Sequence, residues 1–361
     1  MTPISDLIPD PIVDLSLIPI GNVKVGTSAD DRLEADDNTG WSLSGLEGND
    51  TLIGRGGDDY LEGGSDSDEL FGAGGNDTLK GGAGADDLVG GAGNDAYLIS
   101  SNLDDIIESS GQNGGIDTVF LIDWNLAPAD PYVLPAYVED LKMKETFTGE
   151  RAEGNDLSNN MAGNSADNDI YGRLGDDTLK GKDGSDHLYG EEGNDLVMGG
   201  DGSDVLYGDF GGTSATGGDD TLIGGEGNDQ LYGGAGEDSL TGYQSGFTLG
   251  QSDTLDGGST AVLGFGDNAS DTFVLGDANG LFYLDGGAFI DGYATITNFE
   301  YDMDTIVING SFSDYTFIED NLGVGNLASN DLVVAQVSDP NNMIAVIADI
   351  STINASSFTF I

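Results

Sequence analysis

A nine-residue repeat fills residues 45–98 without insertion and constrains the fold more than any other feature of the sequence. Read in nines, the stretch gives six units: GLEGNDTLI, GRGGDDYLE, GGSDSDELF, GAGGNDTLK, GGAGADDLV and GGAGNDAYL. Aspartate recurs at the sixth place and a large apolar residue at the eighth, which is the pattern G-G-x-G-x-D-x-U-x. A flexible Gly- and Asp-rich linker would keep neither this register nor the apolar eighth place.

Each unit divides into a six-residue glycine-rich loop and a three-residue strand. Glycine permits positive φ, so the loop can turn sharply. Side chains of a strand alternate between its two faces, so only the apolar eighth residue points inward. Two units then make one coil of eighteen residues, and successive coils stack at about 4.8 Å as paired strands. The repeat therefore predicts an all-β fold, a parallel β-roll with a thin apolar core.

The sixth-place aspartates indicate what else holds this stack together. Units n and n + 2 lie on the same side, so Asp50 should approach Asp68, and Asp59 should approach Asp77. Neighbouring carboxylates repel each other unless a cation lies between them. Loops that offer carboxylate and carbonyl oxygens suit calcium, whereas magnesium demands stricter octahedral geometry. The predicted metal ligands of this block are Asp50, Asp59, Asp68, Asp77, Asp86 and Asp95.

A second block of repeats covers residues 163–256. It opens on a degenerate unit in which Asn168 replaces the aspartate, and two later units carry seven and six extra residues. A solenoid tolerates such insertions in its loops. The predicted ligands here are Asp177, Asp186, Asp195, Asp204, Asp220, Asp229, Asp238 and Asp253. Four same-side pairs in the first block and six in the second predict on the order of ten calcium ions.

The charge of the chain explains why a cation would matter. Of 361 residues, 66 are acidic and 10 are basic, which gives a formal net charge of −56. Such a charge repels nucleic acid and anionic membranes and opposes compaction. We therefore expect the cation-free chain to be expanded and metal binding to be coupled to folding. The absence of cysteine excludes disulfides and zinc–thiolate sites, and no apolar run is long enough for a membrane span.

The repeats resemble those of the RTX (repeats-in-toxin, hemolysin-type calcium-binding) family. The first block is assigned to residues 26–98, because degenerate units precede the six regular ones and terminal repeats are commonly atypical. Residues 1–25 contain four prolines and no basic residue before Lys24, which is not the pattern of a secretory signal. We interpret them as an extended arm that covers the first coil.

Residues 99–162 lose the nonapeptide but keep short apolar runs. Asp104–Glu108, Ile116–Val119, Val138–Leu141 and Gly154–Asn164 resemble a segment found between RTX blocks. We interpret this stretch as a connector that continues the solenoid in longer, metal-free coils. A separate small domain is the alternative.

Residues 257–361 change to short β-rich runs, which predict an antiparallel-rich cap that closes an open sheet edge. Ser270–Asp277, Tyr293–Phe299, Asp304–Ile308 and Phe358–Ile361 resemble a C-terminal module of bacterial, especially cyanobacterial, RTX proteins. In such proteins an uncleaved C-terminal signal directs export through a type I channel. The resemblance implies an extracellular protein that meets the type I secretion apparatus in transit.

Three classes of function stay open at this point. The leading one is a secreted, non-enzymatic calcium-binding protein with a structural or cell-surface role, whose partner is a cell-surface or extracellular-matrix component. The second is a calcium-stiffened adhesin or an ice- or glycan-binding solenoid, although the outward seventh places lack the rank of threonines that suits ice. An enzyme is the least favoured class. His187 is the only histidine, protease and lipase motifs are missing, and calcium accounts for the carboxylate pairs that a glycosidase would use.

Overall fold

The computed structural model describes the greater part of both repeat blocks and separate segments of the remaining chain. The described residues are 22–108, 114–122, 131–145, 147, 151–209, 217–242, 252–257, 270–277, 280–281, 293–297, 304–308, 315–320, 331–336, 343–347 and 357–360. They contain strands and turns and no α-helix, and hence no helix that could span a bilayer. The chain divides into two compact units, Met1–Asn160 and Met161–Ile361. Most of the predicted arm, residues 1–21, lies outside the described residues.

The strands of unit 1 are short and follow the repeat. They are β1 (Val23–Val25), β2 (Arg32–Glu34), β3 (Ser42–Glu47), β4 (Thr51–Ile53), β5 (Tyr60–Ser65), β6 (Glu69–Gly74), β7 (Thr78–Ala83), β8 (Asp87–Ala92), β9 (Ala96–Ile99), β10 (Asp105–Ile106), β11 (Thr118–Leu121), β12 (Tyr132–Val133), β13 (Asp140–Met143) and β14 (Arg151–Glu153). A further strand, β15 (Asn160–Ala162), lies at the division between the units.

From β1 to β11, the successive strands of unit 1 lie alternately in two parallel sheets, whereas β12 and β14 pair with each other in a third sheet. One sheet has the order β1-β3-β5-β7-β9-β11-β13, and the other has the order β10-β8-β6-β4-β2. Leu61 pairs with Leu79 and Leu70 with Leu88, so one coil takes eighteen residues within the repeats. The first sheet continues into the connector, where coils take 22 residues, from Tyr97 to Val119.

Unit 2 repeats this arrangement. Its strands are β16 (Asp169–Leu174), β17 (Thr178–Asp183), β18 (His187–Glu192), β19 (Leu196–Asp201), β20 (Val205–Tyr207), β21 (Thr221–Glu226), β22 (Gln230–Tyr232), β23 (Ser239–Thr241), β24 (Ser252–Asp256), β25 (Thr272–Val274), β26 (Gly276–Asp277), β27 (Gly280–Leu281), β28 (Tyr293–Thr297), β29 (Thr305–Ile308), β30 (Tyr315–Asp320), β31 (Asp331–Gln336), β32 (Met343–Ile347) and β33 (Phe358–Phe360). The seven-residue insertion leaves the register intact, since Val197 pairs with Leu222 and Leu206 with Leu231.

The C-terminal residues extend the parallel sheets further than the sequence suggests. β23, β25, β29 and β33 pair in parallel, and so do β24, β28 and β32. Only β26–β27 and the meander β30–β31–β32 are antiparallel among the described strands. The prediction of an antiparallel-rich unit is therefore wrong in its detail. Asp271-Thr-Phe and Asp304-Thr-Ile keep the sixth-to-eighth-place spacing, so each run can add a parallel strand despite long insertions.

The core consists of the eighth-place side chains, as predicted. Leu52, Leu61, Leu70, Leu79 and Leu88 in unit 1 and their counterparts in unit 2 are fully buried. Their neighbours on each side face outward, which gives the recurring pattern of one buried residue between two partly exposed ones. The predicted fold class, an all-β parallel β-roll with two repeat blocks and a β-rich C-terminal cap, is confirmed.

The glycine loops explain why several strands are longer than the predicted three residues. In β5, pairing is lost at Gly63 and resumes at Gly64, which lies opposite Gly82. Gly82 has a φ of 109° and Gly93 a φ of 126°. Residues other than glycine adopt such positive φ values only at a cost in conformational energy. A β-carbon at Gly93 would also lie under 3.0 Å from the carbonyl oxygen of Gly75 in the neighbouring coil.

Candidate calcium sites

The sixth-place aspartates form columns in which each residue contacts the next coil. The backbone N–H of Asp50 donates to Oδ1 of Asp68 at 2.8 Å, and that of Asp77 donates to Oδ1 of Asp95 at 2.8 Å. All ten same-side pairs expected from the sequence are joined in this way, including those that span the insertions. They are 50/68, 59/77, 68/86, 77/95, 177/195, 186/204, 195/220, 204/229, 220/238 and 229/253.

The second carboxylate oxygen of these aspartates is buried and accepts no hydrogen bond from the protein. This holds for Oδ2 of Asp50, Asp59, Asp68, Asp77, Asp86, Asp95, Asp186, Asp195, Asp204, Asp220, Asp229 and Asp238. These residues are 0–2% exposed. A buried ionised carboxylate is costly unless it is paired or coordinates a metal. The donor set therefore fits a cation bound by oxygen.

Burial disfavours the charged form of these groups when no cation is present. It raises the pKa of Asp77 to about 7, against the opposing effect of the Asp59 N–H. In unit 2, burial raises the pKa of Asp229 to about 8 and that of Asp238 to about 9. Neighbouring aspartates raise these pKa values further. A bound divalent cation would stabilise the ionised carboxylates and so lower these pKa values.

The glycine at the first place of a unit leaves space for the aspartate five residues later. A β-carbon at Gly72 would lie under 3.0 Å from both Oδ2 of Asp77 and the carbonyl oxygen of Gly90. The same close approach of Oδ2 recurs at Gly45, Gly54, Gly63, Gly81, Gly90, Gly172, Gly181, Gly190, Gly199, Gly208, Gly224 and Gly233. The glycine of the repeat is thus needed for the carboxylate as well as for the turn.

We expect Gly72→Ala to weaken calcium binding and to lower the free energy of unfolding by about 1–3 kcal/mol, the usual cost of overpacking. The matched control is Gly74→Ala in the same loop, where a β-carbon would lie 3.9 Å from its nearest neighbours. Urea unfolding in saturating calcium measures both variants. Equal stabilities of the two would contradict the assigned role of the first-place glycine.

Four aspartates outside the predicted set also join the columns. One of them is Asp31 of the degenerate first unit, whose N–H donates to Oδ1 of Asp50. The other three are Asp117, Asp271 and Asp304, which accept from the N–H groups of Asp95, Asp238 and Asp271. The sequence signal that identifies Asp117, Asp271 and Asp304 is Asp-Thr followed by an apolar residue, which is shared with regular units such as Asp77-Thr-Leu. The segments that precede them are longer than nine residues, so the nine-residue period does not predict their positions.

His187 directly follows the column residue Asp186 and faces outward. Its Nδ1 is 3.2 Å from Oδ1 of Asp169, and about half of the side chain is exposed. The columns themselves offer carboxylate and carbonyl oxygens, which are the ligands of a hard cation such as calcium.

Comparison with known families agrees with this geometry. The RTX calcium-binding nonapeptide repeat (four copies) is the family model that matches residues 42–70, 62–97, 153–186, 180–212 and 214–244. These segments contain every predicted ligand except Asp253. No curated protein matches the chain. RTX repeats imply calcium binding, and the buried aspartate columns fit it. The chain therefore carries RTX calcium-binding nonapeptide repeats in both of its units.

Proposed function

We propose that this chain is an extracellular, non-enzymatic calcium-binding RTX protein with a structural or cell-surface role, and that it folds as calcium fills the aspartate columns. The observation that carries the proposal is the column of buried Oδ2 atoms without a hydrogen-bond donor. On the order of ten ions bind, about one for each same-side aspartate pair.

The energetics favour folding on calcium over calcium binding to a preformed fold. The effective cost of burying one unpaired ion is several kcal/mol, whereas the whole stability of a domain is about 5–15 kcal/mol. Several ionised aspartates per unit therefore exceed what the thin leucine core can offset. The net charge of −56 adds repulsion throughout the chain.

The test is far-UV circular dichroism of the full chain during a calcium titration. We expect a largely unfolded spectrum in chelator and a β spectrum in millimolar calcium. Magnesium at the same concentration should restore much less structure, because it keeps its waters and demands octahedral geometry. A chelated protein with the full β spectrum would refute folding on calcium binding.

Export of the unfolded chain follows from the same proposal. Extracellular calcium modules bind at about 10⁻⁴–10⁻³ M, which is weaker than a cytosol can satisfy, so the chain would fold only outside the cell. We propose that the type I signal lies within residues 257–361, a proposal supported by the resemblance of this stretch to an RTX C-terminal module. Deletion of residues 271–361 should abolish export from the native host, and continued secretion of the truncated chain would locate the signal elsewhere.

A further inference from the structure

Three carboxylates converge where the first repeat block gives way to the connector. One oxygen from each of Asp95, Glu108 and Asp117 lies within 4.8 Å of the other two. Asp95 precedes β9, Glu108 follows β10, and Asp117 precedes β11. Glu108 belongs to no nonapeptide unit, so it adds a carboxylate to a column of aspartates.

A second observation concerns the small space next to the α-carbon of Gly90. Oδ2 of Asp95 is buried and accepts no hydrogen bond from the protein. A β-carbon at Gly90 would lie under 3.0 Å from this atom, from the Tyr97 hydroxyl and from Oε1 of Glu108. Three oxygens from two segments of chain therefore point into one small space, and one of them lacks a donor.

The hydrogen bonds around this space hold its ligands in place but do not neutralise them. The Tyr97 hydroxyl accepts from the Gly90 N–H at 2.9 Å and donates to Glu108. Asp117 accepts from the Asp95 N–H at 2.7 Å. The side-chain charges that act on Asp117 are those of Glu108, Asp95 and Glu139, which are all negative.

We propose that Asp95, Glu108 and Asp117 bind one calcium ion and that this ion fastens the connector to the last coil of the first block. The inference rests on the proposed calcium function of the chain. Three carboxylates are hard oxygen ligands of the kind that calcium takes. The site differs from a repeat pair because its third carboxylate comes from outside the nonapeptides. It also departs from the expectation that the connector is free of metal.

The test compares Glu108→Gln with Glu69→Gln, using the number of calcium ions bound per folded chain. Glutamine keeps the length of Glu108 and an oxygen that can accept from Tyr97, but it removes the charge. We expect Glu108→Gln to bind one ion fewer, or to bind that ion at least tenfold more weakly. Glu69 is exposed on the outer face of β6, so Glu69→Gln should bind as many ions as the unaltered chain.

The outcomes separate the two proposals. Equal counts and affinities for Glu108→Gln and the unaltered chain would mean that Glu108 only accepts the hydrogen bond of Tyr97. An unaltered chain that binds no calcium would refute the proposed function itself. If Glu108→Gln does not fold, crystals of the unaltered chain grown in calcium decide the question. An ion ligated by all three carboxylates is expected, and a site filled by water or an ion bound without Glu108 would overturn the inference.

Discussion

Replacing Asp77 with alanine is expected to lower the free energy of unfolding of the calcium-loaded protein by about 3–5 kcal/mol, the cost of breaking a buried charge pair. Asp77 contacts both Asp59 and Asp95 along its column. Its loss removes a ligand from two sites and leaves the Asp59 N–H without its acceptor. The calcium concentration needed for folding should rise at the same time.

The matched control for Asp77→Ala is Asp87→Ala in the same block. Asp87 is exposed in β8 and pairs with Glu69 and Asp105 in the neighbouring strands. Removal of one of three like charges in a row should change stability by no more than about 0.5 kcal/mol. Urea unfolding in saturating calcium compares the variants, and equal midpoints would contradict the assigned columns.

Acid should restore part of the fold when calcium is removed. In the cation-free fold, burial raises the pKa of Asp77 to about 7 and that of Asp238 to about 9, from an ordinary value near 3.8. Between pH 4 and these values, the folded state binds more protons than the unfolded state. Its stability therefore increases as the pH falls, by up to about 1.4 kcal/mol per pH unit for each such aspartate.

The measurement is circular dichroism of calcium-free protein between pH 8 and pH 5, with the β signal expected to grow toward pH 5. In calcium the dependence should reverse, because protons compete with the ion for the same oxygens. A β signal that falls with acid in the calcium-free protein would contradict the raised pKa values.

Much of the fold could be predicted because the repeat fixes both burial and register. Leu61 and Asp59 recur with the same spacing in every regular unit, so the inward apolar residue and the aspartate columns follow from strand geometry alone. The insertion before Asp220 did not disturb the predicted pair with Asp195, since it lies in a loop. Side-chain detail was less accessible, and the N–H donated to Oδ1 along each column was not foreseen.

The structural features that the sequence did not predict lie outside the regular nine-residue units. Asp271 and Asp304 follow insertions whose length hides their place in a coil, although each is followed by Thr and an apolar residue. Glu108 reaches Asp95 through loop geometry that no periodicity encodes. The ninth-place tyrosines of unit 2 are a further regular feature of the sequence. Ninth-place tyrosines stack on the outer face of unit 2, where the rings of Tyr171 and Tyr189 lie 4.4 Å apart.

The central claim is that calcium occupies the columns of buried aspartates, and the number of ions bound per chain tests it most directly. Protein equilibrated in millimolar calcium and freed of unbound ions should retain on the order of ten, about one for each same-side pair. Asp77→Ala should retain about two fewer ions than the unaltered chain, and Asp87→Ala should retain the full number. A folded chain that retains no calcium, or an Asp77→Ala variant with an unchanged count, would contradict the account.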